Sequence, residues 1–423
     1  MNAKELKLEL LSGALDKYSS LYANTAFETE RLLSAIDAFC AEFGDGRELM
    51  LLSVPGRSEI LGNHTDHNRG RVMAGAIDRD IIAVVAARED GVINLHSEGY
   101  PVDTVRLSDC ECPGLFRDYS SAALIGGVVN GFCRAGYTVG GFDAYTTTRV
   151  LKGSGISSSA AFEVMIGNIL SHLYNGGSVK NEELAKIAQY AENKYFGKPC
   201  GLMDQMACAV GGFVYIDFAD ADNPIVEPIP LSPKDKGYAL CIVNTGGNHA
   251  DLNEDYASVP REMKAVARAL GREVLAGVTE EELISAAPAL RESLGDRALL
   301  RALHFVRECE RVDRAAAALK GGSLEGLFAE MTASGLSSFR YLQNVYTTVN
   351  VGEQGLSLAL CLIDGFLGER GAYRVHGGGF AGTVQAFVPT EELSRFESLM
   401  NGVFGEGATL RLNIRPVGAT RLF

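Results

Sequence analysis

The chain has 423 residues, room for two domains or one large one, since domains cluster near ~100–150 residues. A net charge of -14 excludes a broad basic face for nucleic acid or an anionic membrane, so an anionic ligand must be captured locally by loops and helix ends. Hydrophobic residues make up 47%, enough for a sizeable core, yet no apolar run approaches the ~20 residues of a membrane span.

Residues 4–43 read as helical, with Leu32, Leu33, Ile36 and Phe39 on one apolar face. The polar start, Met1 to Glu5, suits an amphipathic helix and not a signal peptide. Met50–Val54 reads as a strand that ends in a polar loop, residues 55–68, holding Arg57, His64, Asp66 and His67. Val72 to Ala87 returns to β-like composition, so the loop sits between two strands, where functional groups are often placed. A solvated turn with a local Arg–Asp pair would use the same residues. Ile93–Leu107 suits an edge hairpin, and residues 119–135 have helical spacing.

Phe142 to Val150 is strand-like, and Ala160–Tyr174 carries Phe162, Met165, Ile166, Ile169 and Leu170 at helical spacing. The glycine-serine loop between them, Leu151 to Ala161, therefore opens a helix. That geometry offers backbone N–H groups and the positive end of a helix dipole to an anion. A tight turn with a serine N-cap is the plainer alternative. Ser178–Glu192 reads as a further helix, broken by Gly197 to Leu202 before Asp204 enters the first turn of the next one.

Phe213–Phe218 and Tyr238–Asn244 read as strands with a turn around Asp220–Asn223. The composition shift at Ser232 to Lys236 places a domain boundary there, giving domains 1–235 and 236–423. Beyond it come helices over 259–270, 279–290, 299–319, 323–338 and 352–365, then strands over 372–375, 383–388 and 409–416. Strands, then helices, then strands point to an α+β fold. The 9 cysteines show no metal-ligand spacing and read as buried free thiols in a reducing cytoplasm. Gly377 to Gly382 matches GxGxxG, but a strand follows it where a dinucleotide fold needs a helix, so it reads as a glycine turn between strands.

The polar loop, the glycine-serine loop and the glycine turn together resemble the GHMP family of small-molecule kinases, closest to its galactokinase branch. The family's GRVNLIGEHTDYN stretch has its counterpart in Gly56 to Asn68, and its PLGxGLSSSA phosphate loop in Leu151 to Ala160, with Lys152 in an unusual place. Its GxxCGxMDQ stretch stands at Gly197 to Gln205, its late glycine motif at His376 to Gly382, and its SEYxxRR stretch at Glu254 to Arg261. Ordered matches over residues 50–390 are far more specific than any single one.

The resemblance implies a two-domain α+β fold with the active site in the inter-domain cleft, and ATP phosphorylation of a sugar, galactose first, at its anomeric hydroxyl. It implies ATP and Mg²⁺ as cofactors, a small-molecule sugar as partner, neither nucleic acid nor membrane, and a cytoplasmic monomer or weak homodimer. By the same resemblance Gly153, Ser154, Gly155, Ile156, Ser157, Ser158 and Ser159 hold the ATP phosphates. Ser157 and Glu192 hold Mg²⁺, Asp204 serves as general base and Arg57 sits beside it. An adjacent arginine should lower the Asp204 pKa, so the carboxylate orients the hydroxyl as much as it deprotonates it. Lys152 is expected to lean on the ATP phosphates, a surface lysine being the alternative.

Asn63, His64, Asp66, Gly201 and Tyr256 fall at sugar-binding positions. Asn63 replaces the family glutamate that contacts the sugar near its sixth carbon, Glu59 an asparagine and His67 a tyrosine. A 6-carboxylate would be repelled by glutamate and tolerated by asparagine, so galacturonate is the alternative acceptor. A silent regulator that binds sugar and ATP without turnover is the alternative of another class; Arg57, Ser157, Glu192 and Asp204 favour an enzyme. Residues 337–346 lack the family's acidic pair.

Overall fold

Met50–Leu61 and Arg71–Arg88, rich in Val, Ile and Leu and buried over most of their length, are the two longest strands. The computed structural model describes every residue except 23, 151–154, 199, 221–222 and 248–251, and divides into two compact units. The first comprises Met1–Arg57, Ala76–Gly212 and Arg415–Phe423; the second comprises Ser58–Gly75 and Phe213–Ile414. These units do not follow the expected 1–235 and 236–423 division. Each long strand leaves one unit and enters the other, and the last segment of the chain returns to the first unit.

In the first unit the strand order is Thr420–Arg421, Met50–Leu61, Arg71–Arg88, Gly141–Thr148, Val92–Ser97, Asp103–Arg106. Ile81–Arg88 runs antiparallel to Gly141–Thr148, which lies parallel to Val92–Ser97. Helices Ser121–Arg134, Ser158–Tyr174, Asn181–Ala191 and Met203–Val210 pack on one another. The single helix expected over 4–43 is broken into Ala3–Leu11, a short turn at Ala14–Tyr18, and Thr25–Phe43. Gly13, at φ +85°, follows the first piece, and the Asn24 side chain caps the last by accepting from the Phe27 N–H at 3.0 Å. Their apolar faces bury Leu6, Leu10, Leu32, Ile36 and Phe39 against Leu51, Ile82 and Phe423.

A buried charge cluster ties this unit together. Asp80 accepts from Arg31 Nη1 at 2.6 Å, Ser53 Oγ at 2.5 Å, Tyr22 Oη at 2.9 Å and Arg415 Nη1 at 3.3 Å. Burial alone would raise its pKa, but the two arginines and the hydrogen bonds outweigh it and hold the carboxyl at about 2.

The second unit holds an antiparallel sheet in the order Thr409–Leu412, Tyr238–Asn244, Thr383–Pro389, Ala372–His376. Helices Asn253–Ala269, Glu280–Leu294, Asp296–Lys320, Leu324–Ser337 and Gly355–Leu367 fall where the spacing placed them, each extending or shifting by a few residues. Two elements were not foreseen: the strand Ile225–Ile229, interrupted by Pro228, and the helix Leu393–Phe404. Phe213–Asp217 pairs with that unforeseen strand, and Tyr238–Asn244 joins the other sheet. Sheets and helices are segregated along the chain, so the fold is α+β. All nine cysteines are free, but Cys112, Cys133 and Cys361 are exposed, which corrects the expectation that all are buried. Among the described residues no helix is long and apolar enough to cross a membrane.

Candidate functional site

Gly56 decides how closely the strand Met50–Leu61 approaches the glycine-serine loop. A Cβ built on it would stand 2.7 Å from the Ile156 carbonyl oxygen and 2.9 Å from Val150 Cγ1. With hydrogen there, the next residue, Arg57, donates its backbone N–H to Ile156 O at 3.2 Å and its Nη1 to Gly155 O at 2.7 Å. Gly56→Ala should therefore destabilise the protein by about 1–3 kcal/mol through overpacking against backbone. Unchanged urea unfolding in that variant would show that the loop gives way freely.

Of the expected phosphate-loop residues, Lys152, Gly153 and Ser154 lie outside the described residues. Gly155 has φ +75°, and Ser157 sits at φ +62°, a left-handed conformation that costs a serine energy and is concentrated at functional sites. Ser158 and Ser159 begin the Ser158–Tyr174 helix, whose first-turn N–H groups have no partner within the helix. Buried Ile156 anchors the loop.

Asp204 occupies the first turn of Met203–Val210, as expected. Arg57 grips it with two bonds, Nε to Oδ1 at 2.8 Å and Nη2 to Oδ2 at 2.7 Å, and Ser157 Oγ donates to Oδ2 at 2.5 Å. Two parallel N–H···O bonds fix the carboxylate's orientation as well as its charge. Crowding by protein would raise the Asp204 pKa; Arg57 and the Ser157 hydroxyl more than reverse that, leaving it below the usual value.

Glu192 closes the Asn181–Ala191 helix and starts a wide, π-type turn over Glu192–Phe196, a distortion common at functional sites. Its Oε1 meets Ser159 Oγ and Lys198 Nζ, each at 3.2 Å, and its Oε2 accepts from Gln205 Nε2 at 2.7 Å. So the hydroxyl that meets Glu192 is that of Ser159, while Ser157 turns to Asp204. The same Gln205 nitrogen reaches fully buried Glu163 at 3.1 Å. Burial, and then the charge of Glu192, push the Glu163 carboxyl well above its usual value. Gly201 follows Cys200, whose N–H donates to Asn193 Oδ1 at 2.7 Å.

The remaining expected site residues belong to the second unit. Gly62, at φ +98°, turns where a Cβ would lie 2.6 Å from both the Arg71 carbonyl oxygen and Val72 Cα. Asn63 is buried, and its amide is spent on protein. Its Nδ2 donates to Glu59 Oε1 at 3.0 Å and Gly377 O at 2.7 Å, while its Oδ1 accepts from Asn344 Nδ2 at 2.7 Å. Glu59 in turn accepts from the fully buried Arg374 at 3.2 Å. The acid and amide that exchange places relative to the family motif thus form one buried cluster, and Asn344, from the segment lacking the acidic pair, completes it.

His64, at φ +60°, has Nε2 2.9 Å from Gly378 O. Burial lowers its pKa to about 3, so the ring is neutral, and a carbonyl partner requires the proton on Nε2. Tyr256 packs with its ring centroid 5.2 Å from that of His64. It also lies over Gly378, where a Cβ would fall 2.0 Å from a ring carbon. Asp66 opens a short turn, Asp66–Asn68, with His67 Nε2 3.8 Å from its Oδ1. The glycine turn joins the antiparallel pair Ala372–His376 and Thr383–Pro389, with no helix after it. Arg374, His304 and Asn344 were not singled out from the sequence; lone residues of these types carry no periodic signal.

The family model of the GHMP kinases N terminal domain matches residues 123–212, and the galactokinase galactose-binding signature matches residues 37–87. Galactokinase of Streptomyces coelicolor is 33% identical over 345 residues, covering 79% of this chain and 84% of that protein. Galactokinase of Homo sapiens is 30% identical over 396 residues, covering 92% of this chain and 96% of that protein. Lactococcus lactis galactokinase complexed with galactose superposes with a TM-score of 0.76 at 25% identity, covering 92% of this chain and 99% of the other. Methanococcus jannaschii mevalonate kinase shares the fold, with a TM-score of 0.60 at 17% identity over 87% of this chain and 98% of the other.

Proposed function

The chain belongs to the GHMP kinase family, in its galactokinase branch, and we propose that it transfers the γ-phosphoryl group of ATP to the 1-hydroxyl of galactose. The observation that carries this reading is the convergence of Arg57 and Ser157 on Asp204 at the start of the Ser158–Tyr174 helix. Phosphoryl transfer needs positioning and charge neutralisation more than covalent help from the protein. The helix start and the 153–159 backbone would take the nucleotide phosphates, with the dipole favouring their charge. Asp204, ionised and locked in orientation, would accept the hydrogen bond of the sugar hydroxyl and then its proton. Arg57 would remain against that carboxylate and steady the transferred group.

Mg²⁺ suits the hard oxygen donors Ser157 Oγ and Glu192; in the structure Ser157 Oγ donates to Asp204 and Ser159 Oγ meets Glu192, so Ser157 would turn from Asp204 to hold the ion. When bound it would neutralise phosphate charge. His64, Asp66, Tyr256 and the backbone of Gly201 would contact the sugar. Neutral His64 has its Nε2–H committed to Gly378, which makes Nδ1 an acceptor for a sugar hydroxyl. Asn63 would act through the cluster it forms with Glu59 and Asn344. The nine free cysteines support a reducing, cytoplasmic setting.

One observation keeps galacturonate as a second reading. Position 63 is neutral, and the nearby Glu59 carboxylate is paired with Arg374, so this stretch of the loop presents no unpaired acid from either position. A coupled ADP-release assay separates the readings. Galactose is expected to give the higher kcat/KM; parity or better with galacturonate would favour the 6-carboxylate sugar. No ADP release with any aldose, while ATP still bound, would make the protein a silent binder.

A further inference from the structure

The 62–66 turn is held from behind by two buried side chains. His304 and Glu308 lie one turn apart on the Asp296–Lys320 helix, both fully buried. Glu308 Oε1 accepts from the backbone N–H of Gly62 at 3.1 Å and from Ser334 Oγ at 2.5 Å, and its Oε2 accepts from Arg311 Nη1 at 2.9 Å. Burial would raise its pKa, but the Arg374 and Arg311 charges and the Ser334 hydroxyl act against this and hold it below the usual carboxylate value, so it stays ionised.

His304 Nε2 lies 3.1 Å from the backbone carbonyl of Asn63, and Nδ1 lies 2.9 Å from Ser337 Oγ. Burial lowers its pKa, so it is neutral and has one proton. A carbonyl oxygen only accepts, so that proton sits on Nε2, and Ser337 must donate to Nδ1. The serine thus fixes the tautomer that grips the loop. One side chain takes the peptide N–H entering the turn and the other the carbonyl immediately before His64, whose left-handed φ of +60° needs such over-determination.

We infer that His304 and Glu308, with Ser337, are positioning residues for sugar binding: they hold the Gly62–Asp66 backbone in the strained shape that aims His64 and Asp66. This rests on the reading that His64 and Asp66 contact the sugar. The pair touches no substrate, so its effect should appear in sugar KM and leave ATP KM alone.

The test compares wild type, His304→Leu, His304→Gln and Ser337→Ala in the full chain, titrating galactose and ATP separately. His304→Leu is expected to raise galactose KM about tenfold or more, as expected when a buried carbonyl loses its donor, with ATP KM within about twofold. His304→Gln keeps a donor toward Asn63 and an acceptor toward Ser337, and should recover most of the loss. If His304→Leu does not fold, Ser337→Ala, which only frees the tautomer, should still give a smaller rise in galactose KM alone. Normal galactose KM in both variants, equal rises in both KM values, or no rescue by glutamine would overturn the inference while leaving the kinase reading intact. A wild type inactive with galactose would overturn both.

Discussion

Asp204→Asn is expected to lower kcat by roughly 10²–10⁴-fold, the usual contribution of a positioned acid or base, with KM for galactose and ATP changed only a few fold. Asparagine keeps the shape but offers one acceptor where Arg57 and Ser157 now find two oxygens. The two-pronged arginine grip is lost with the charge. The loss should fall toward the lower end of that range, because a carboxylate already receiving three strong hydrogen bonds is a weak base. Its pKa sits below the ordinary carboxylate value, so kcat/KM should hold as pH falls to that value and decline only below it. Steady-state ADP release across pH measures both. Near-normal turnover in Asp204→Asn, with both substrates still bound, would remove Asp204 from the chemistry.

The second large effect is on stability. Asp80→Asn should cost about 3–5 kcal/mol, because it leaves Arg415 buried without its counter-charge and Arg31 with Glu28 alone. Both guanidiniums and the carboxylate are nearly inaccessible, with 10%, 1% and 2% of their side-chain surfaces exposed, so water cannot replace the lost partner. The pH dependence has a definite sign. The folded pKa of about 2 lies below the ordinary 3.8, so this carboxylate stabilises the fold above that ordinary value. That contribution disappears as pH falls from about 3.8 toward about 2. Urea unfolding at neutral pH and near pH 3 should show the two proteins converging on acidification; parallel curves would mean the cluster is energetically idle.

Sequence periodicity located most helices because their apolar faces repeat every turn, as Phe162, Ile166 and Ile169 do. Glycine turns were legible for a related reason: a strand following Gly382 left no helix to make a dinucleotide site. The polar tail of the first long strand was not legible. Ser58 and Glu59 look like loop residues, but both are buried, satisfied by Gln385 and Arg374 from strands far along the chain. Partners more than 300 residues away leave no local mark. The same limit hid the interleaved units, which follow from where the long strands lead. Asn63 shows a finer limit. Its place in the motif suggested a sugar contact, yet the direction of its amide depends on Glu59, Gly377 and Asn344 together. The strand Ile225–Ile229 is short, interrupted by Pro228 and partly exposed, so it has neither the length nor the alternation of an obvious strand.

The return of Arg415–Phe423 to the first unit has a consequence for synthesis. Residues 213–414 must all emerge before the strand Thr420–Arg421 can pair with Leu52–Ser53 and before Arg415 can reach Asp80. At the usual ~5–20 residues per second, that interval lasts roughly 10–40 s. Throughout it the nascent chain carries an open sheet edge and a half-neutralised carboxylate on the ribosome. This kinase should therefore lean on chaperones that shield unpaired strands, more than a protein whose units finish one after the other.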